Sequence, residues 1–135
     1  MEDTIYRDVD VLMRLVDMRS SPRLEDAFSW MRDEFDAKTY EEFNEKYPRG
    51  SQGRLKFISV CNFFELCGIL VNRHILEEDL FFDIGFGLSL MWQKIKAILA
   101  GYRKVTDVRL WENIDILYMR NMQWKEKHPP KLEKT

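Results

Sequence analysis

The chain offers few residues suited to chemistry. Its histidines are His74 and His128, and its cysteines are Cys61 and Cys67. No His-Glu-x-x-His or Glu-x-x-His motif occurs, so zinc-protease and di-iron-bundle ligand patterns are both missing. Gly85-Phe86-Gly87 lacks the third glycine and the preceding strand of a phosphate-binding loop. Cys61 and Cys67 lie on one apolar helical stretch, on faces about 120° apart at roughly 100° per residue. They read as reduced, buried small hydrophobes. Cys61 as a nucleophile would need an activating histidine, and none can be identified. No metal or cofactor is expected, and a conventional hydrolase or metalloenzyme is disfavoured.

The most informative polar residues sit on otherwise apolar faces. Asn62 and Glu65 are three apart on the most hydrophobic helix, Asp83 lies in an aromatic stretch, and Asp8 falls between Leu12 and Leu15 by helical angle. A buried lone carboxylate is costly and needs a partner or a raised pKa. Arg103, Arg109 and Arg120 are the cationic candidates. Asn62, Glu65, Asp83 and Arg103 thus form a candidate buried polar cluster with two readings. One is a set of structural ion pairs or cap contacts that fix helix register. The other is a small-molecule or acid–base pocket built on Glu65 and Asp83.

Most of the 9 Phe, 5 Tyr and 4 Trp fall on inward stripes and read as core rather than as a base-stacking surface. Trp30 and Trp124, off those stripes, are candidate interface residues together with Met119 and Met122. The formal net charge is −2, but it is unevenly spread: −6 over residues 1–47, −1 over 48–89 and +5 over 90–135. Lys94, Lys96, Arg103, Lys104 and Arg109 alternate with core positions and form no dense stripe. Complementary packing within or between subunits is therefore expected over nucleic-acid binding.

These residues must be positioned by helices. With 135 residues there is room for one domain, and apolar residues recur at three and four throughout. A helix over 4–19 carries an apolar stripe of Ile5, Val9, Leu12, Met13 and Val16, opposite Arg7, Asp10, Arg14 and Asp17. A second opens at Ser21-Pro22 and buries Leu24, Ala27, Phe28, Met31 and Phe35. A short helix starts at the capping box Thr39-Tyr40-Glu41-Glu42. The helix over 53–73 is apolar nearly all round, which places it centrally, and His74 is expected as its left-handed stop. A long helix over 77–102, interrupted by Gly85 and Gly87, and a last one from about 106 complete the fold. The expected architecture is all-α: a single-domain bundle over 1–127 of five main helices plus one short helix, with a disordered tail over 128–135.

At the later helices the pattern becomes specific. Asn62-Phe63-Phe64-Glu65-Leu66-Cys67-Gly68, then Ile75-Leu76-Glu77-Glu78-Asp79-Leu80, then Trp92, Arg103 and Leu110-Trp111-Glu112 follow in order. This resembles, over roughly 55–120, an uncharacterised family of small all-helical proteins known only as a domain of unknown function. The resemblance implies the fold and highlights Glu65 and Arg103 without giving them a role. Members often carry a membrane helix before this domain. Here the start is acidic, with no secretory signal, and the longest uncharged run is the ten residues 84–93, so a soluble cytoplasmic protein without a membrane span is expected. The leading functional expectation is a non-enzymatic helical interaction module that self-associates, as a homo-oligomer, or binds another protein. A small-molecule pocket and nucleic-acid binding are the alternatives.

Overall fold

Three helices start on the same device. The Ser21 hydroxyl accepts from the Leu24 backbone N–H at 3.4 Å, Thr39 Oγ1 from that of Glu42 at 3.1 Å, and Ser51 Oγ from that of Arg54 at 3.3 Å. Each satisfies a first-turn donor that the helix itself leaves unpaired. The capping box at Thr39 closes one residue further back than expected. The Glu42 carboxylate accepts from the N–H of Lys38, at 3.4 Å, and not from that of Thr39.

The computed structural model describes residues 2–132, with residues 2 and 3 as backbone only. It contains α1 (Glu2–Arg19), α2 (Pro22–Asp33), α3 (Tyr40–Lys46), α4 (Gln52–Asn72), α5 (Glu78–Ile84), α6 (Leu88–Val105) and α7 (Glu112–Lys127). The class is all-α, with seven helices and no strand among the described residues. The count differs from five plus one because the expected 77–102 helix divides. Gly85, Phe86 and Gly87 have φ of 71°, 53° and 75°. Three successive left-handed residues cannot continue a right-handed helix, and the two glycines tolerate this conformation without a Cβ penalty. Phe86 is held there by edge-on packing with Phe63, at 5.3 Å between ring centroids.

Helix α4 is the axis of the bundle, packed against α2 on one side and α7 on the other, while α3 lies on α6. Phe57, Val60, Cys61, Phe64 and Cys67 are wholly buried along it. By length and composition α4 could cross a membrane, yet here it forms the core. It stops as expected at His74 (φ 59°), where the Ile75 N–H returns to Leu70 O at 2.9 Å. Phe35, Phe43, Phe57, Tyr102 and Trp111 knit the chain just after α2, together with α3, α4 and α6, to the segment before α7. The tightest of these ring pairs, Phe43 with Phe57, has centroids 4.7 Å apart.

Helix α1 departs most from its pattern. Its stripe residues Ile5, Val9 and Met13 are 59%, 45% and 54% exposed, and Leu15 and Asp8 are the buried ones. A helix lying on the rim of a bundle can bury one arc only. Here the arc of Leu12, Leu15 and Arg19 turns inward, with the Arg19 guanidinium 3.8 Å from the Phe28 ring centroid on α2, leaving the wider apolar side outward.

Candidate functional site

The polar cluster predicted on the central helix closes around the segment that joins α6 to α7. Leu110 and Trp111 lie before α7 rather than within a helix starting at 106, and Trp111 takes a left-handed φ of 54°. That turn leaves the first N–H groups of α7 without a local side-chain cap. Glu65 supplies one from α4. Its Oε1 accepts from the Asn113 backbone N–H at 3.0 Å and its Oε2 from Asn113 Nδ2 at 2.9 Å. A carboxylate at a helix start also meets the positive end of the helix dipole.

Asn62 and Arg103 hold the same segment from either side. Asn62, although its residue surface is exposed, accepts from Trp111 Nε1 at 2.9 Å. Arg103 donates from Nε to Leu110 O at 2.8 Å and from Nη2 to Trp111 O at 3.3 Å. Its remaining charge is met by Asp115, with Nη2 2.7 Å from Oδ1 and Nη1 3.2 Å from Oδ2. Arg103 thus pairs with Asp115 and not with Glu65. Glu65 is a cap supplied by another helix, and Arg103 is a clasp on two carbonyls.

Asn72, Gly68, Asn113 and Asp115 were not singled out by sequence. Asn72 Nδ2 donates to Asn113 O at 3.1 Å. Gly68 permits the approach: a Cβ there would stand 2.5 Å from Asn113 O. A lone glycine facing inward on the most apolar helix was the available signal. Its partner could not be named without the fold.

Asp83 does not join this cluster, which corrects the expected grouping. It is exposed near the end of α5, where the break at Gly85 turns the chain away, and lines a groove of about 750 Å³ with Asp79, Trp124 and His128. Trp124 lies eleven residues along α7 from Asn113, about 16 Å at 1.5 Å per residue. A pocket built jointly on Glu65 and Asp83 therefore has no geometric basis. Asp8 is buried and paired with its neighbour Arg7 at 3.2 Å, not with Arg103, Arg109 or Arg120; Arg120 pairs with Glu78 at 3.3 Å. Among the described residues, no ion pair links 1–47 to 90–135, so the charge asymmetry is not resolved within one chain.

The expected interface residues separate in the same way. Trp30 is half-buried, edge-on to Phe35 and Tyr47, with Gly53 beneath its ring. Trp124 is half-buried too: its Nε1 donates to Asp79 Oδ1 at 2.7 Å and His128 stacks on its ring at 4.4 Å. Met119 and Met122 are exposed. The expected tail begins as irregular chain over 129–132 after this anchored His128, and 133–135 lie outside the described residues.

No group of three His, Cys, Asp or Glu among the described residues could hold a metal. Burial pushes both thiols far above the ordinary range for cysteine, with Arg103 only partly offsetting this at Cys61. Neither thiol can supply a thiolate at neutral pH. The hydrogen bonds of the cluster tie the start of α7 and the turn before it to α4 and α6.

No curated protein and no solved structure matches the chain. The model of one family, described as a domain of unknown function (DUF4760), matches residues 4–121, which include all of α2 to α6, most of α1 and α7 up to Asn121. On that match, covering most of the molecule, the chain belongs to this family of proteins carrying a domain of unknown function.

Proposed function

We propose that the protein is a non-enzymatic helical interaction module that self-associates through the outer face of α1. The observation that carries this reading is the unpartnered apolar stripe there: Ile5 (59% exposed), Tyr6 (72%), Val9 (45%) and Met13 (54%). Scattered exposed apolar residues are ordinary, but a contiguous stripe on one helix face is the form a protein interface takes.

The charges beside the stripe suit a second copy. At 100° per residue, Asp17 and Asp10 border the exposed stripe on one side only, with Arg14 and Arg7 beyond them toward the opposite face. Their signs reverse about position 12, so that Arg7 mirrors Asp17 and Asp10 mirrors Arg14. When two identical helices pack antiparallel, each flank faces the same flank of the other copy. An antiparallel pair of α1 helices would then set each basic residue toward an acidic one while Val9 meets Met13. A parallel pair would lose this match. Such flanking pairs set partner choice and orientation more than affinity.

Size-exclusion chromatography with light scattering, run over a hundredfold concentration range, tests the reading. The expected result is a concentration-dependent dimer abolished by Val9→Asp, with the helical circular dichroism retained. Asp10→Arg should weaken the dimer, and Asp10→Arg combined with Arg14→Asp should restore it. A wild type that stays monomeric throughout overturns the proposal.

A further inference from the structure

Arg54, on the first turn of α4, is buried to 7% exposure, yet no ion pair reaches it among the described residues. A buried guanidinium without a counter-charge is costly. Its Nη1 donates to Asn44 Oδ1 at 2.7 Å and to Tyr47 O at 3.2 Å. Its Cζ lies 5.0 Å from the Phe43 ring centroid and 5.1 Å from that of Tyr102. These contacts hold the group rigidly but neutralise none of its charge. The Nε–H and Nη2 edge makes no hydrogen bond to the described protein residues, and that edge is the two-pronged fork that matches a carboxylate or phosphate.

The same arginine lines two adjoining clefts, of about 210 and 410 Å³, which share Tyr40, Arg49, Arg54 and Val105. No Asp or Glu lines either. Arg49 stands on the exposed turn between α3 and α4, and brings a second guanidinium to the rim. Leu55, Ile58 and Val105 form an apolar wall to the first cleft. Two cations, one of them buried and oriented, beside an apolar wall make a built site for one chemical class of ligand.

We propose that this cleft between α3, the start of α4 and the end of α6 binds a small organic anion. Its carboxylate or phosphate monoester sits on the forks of Arg54 and Arg49, and its apolar body lies against Leu55, Ile58 and Val105. The site is separate from the Glu65 cap and from the outer face of α1, and does not depend on self-association.

The test is a titration of the full chain with benzoate, phenyl phosphate and, as the uncharged analogue, benzyl alcohol, followed by ¹H–¹⁵N correlation spectra. Benzoate or phenyl phosphate should give saturable shifts centred on the Arg54 side-chain Nε–H and the Gly50 and Thr106 amides, at affinities of about 1 mM. Whichever anion binds more tightly identifies the carboxylate or the phosphate source. Arg49→Ala, on an exposed turn that leaves the core intact, should weaken binding about tenfold, and Arg54→Lys, which keeps the charge but removes the fork, by at least as much. Benzyl alcohol should produce no shift at these positions. The proposal fails if neither anion gives saturable shifts there, if the shifts lie elsewhere, or if Arg49→Ala binds as the wild type does.

Discussion

Gly68→Ala sets two effects of opposite sign against each other, and the structure decides between them. Ala is favoured over Gly inside a helix by about 1 kcal/mol, so propensity alone makes the variant more stable. The new Cβ, however, would stand 2.5 Å from Asn113 O and 2.9 Å from Asn113 C. These are backbone atoms at the start of α7, so no side-chain rotation relieves the clash. Reaching 3.4 Å, the lower edge of ordinary contact, requires the carbonyl to retreat about 0.9 Å. The bonds from Asn113 to Glu65, at 3.0 and 2.9 Å, would then lengthen to nearly 4 Å, beyond hydrogen-bonding range. Bonds to a charged group contribute about 1.5–3 kcal/mol each; at this half-buried site the lower figure applies, so two of them amount to about 3 kcal/mol. After the propensity gain, the net loss is about 2 kcal/mol. With a urea slope of about 2 kcal/mol/M, the unfolding midpoint should fall by about 1 M. Ala100→Gly, on the exposed side of α6, calibrates the propensity contribution alone. A Gly68→Ala midpoint equal to or above that of the wild type would refute the reasoning and show that α7 does not depend on this docking.

Two further outcomes follow from the same geometry. Arg103→Ala should destabilise the protein by about 2–3 kcal/mol in the same urea assay, because two carbonyls and Asp115 lose their shared donor; Arg103→Lys should recover less than half, since an ammonium cannot span the three acceptors, and full recovery would show that charge alone matters. Glu42 titrates below an ordinary glutamate, chiefly through its hydrogen bond to Lys46 and then through the Lys38 N–H. Its folded pKa being depressed, its contribution is present above the unfolded value and is lost as pH falls through the folded one. Carboxyl-carbon NMR should show the Glu42 pKa rising toward the ordinary value in Lys46→Ala; an unchanged titration would exclude the lysine as the cause.

How far the sequence could be read depended on the range of the interaction involved. The starts at Ser21 and Thr39, the left-handed stop at His74 and the buried stripe of α2 are local, involving residues within a few positions, and all were legible; the Ser51 cap is equally local but was not read. The apolar girth of α4 placed it centrally because no helix apolar on all sides can sit on a rim. The glycines at 85 and 87 signalled an interruption, but whether they bend a helix or end it depends on what Phe86 packs against, and Phe63 comes from another helix.

Periodicity also cannot say which of two apolar arcs is covered. On α1 it marked Ile5, Val9 and Met13 as a face, and only the packing of α1 on the rest of the bundle decided that this face is outside. Trp30 and Trp124 lie off their helices' main stripes, and the extent of their cover came only with the fold: each is half-buried, Trp30 against Phe35 and Tyr47, Trp124 against Asp79 and His128.

What the sequence determined by itself was the all-helical class, the core helix and the helix starts at Ser21 and Thr39, which follow from residue type and spacing along one chain; it also drew attention to Asn62, Glu65 and Arg103. What only the tertiary structure decided was their partners. Glu65 finds an N–H 48 positions away and Arg103 the carbonyls of a turn. Asp83 falls outside the cluster altogether. A hydrogen bond needs its two groups within about 3 Å, and which remote backbone atom comes that close is set by how helices pack around α4, not by any pattern within a helix.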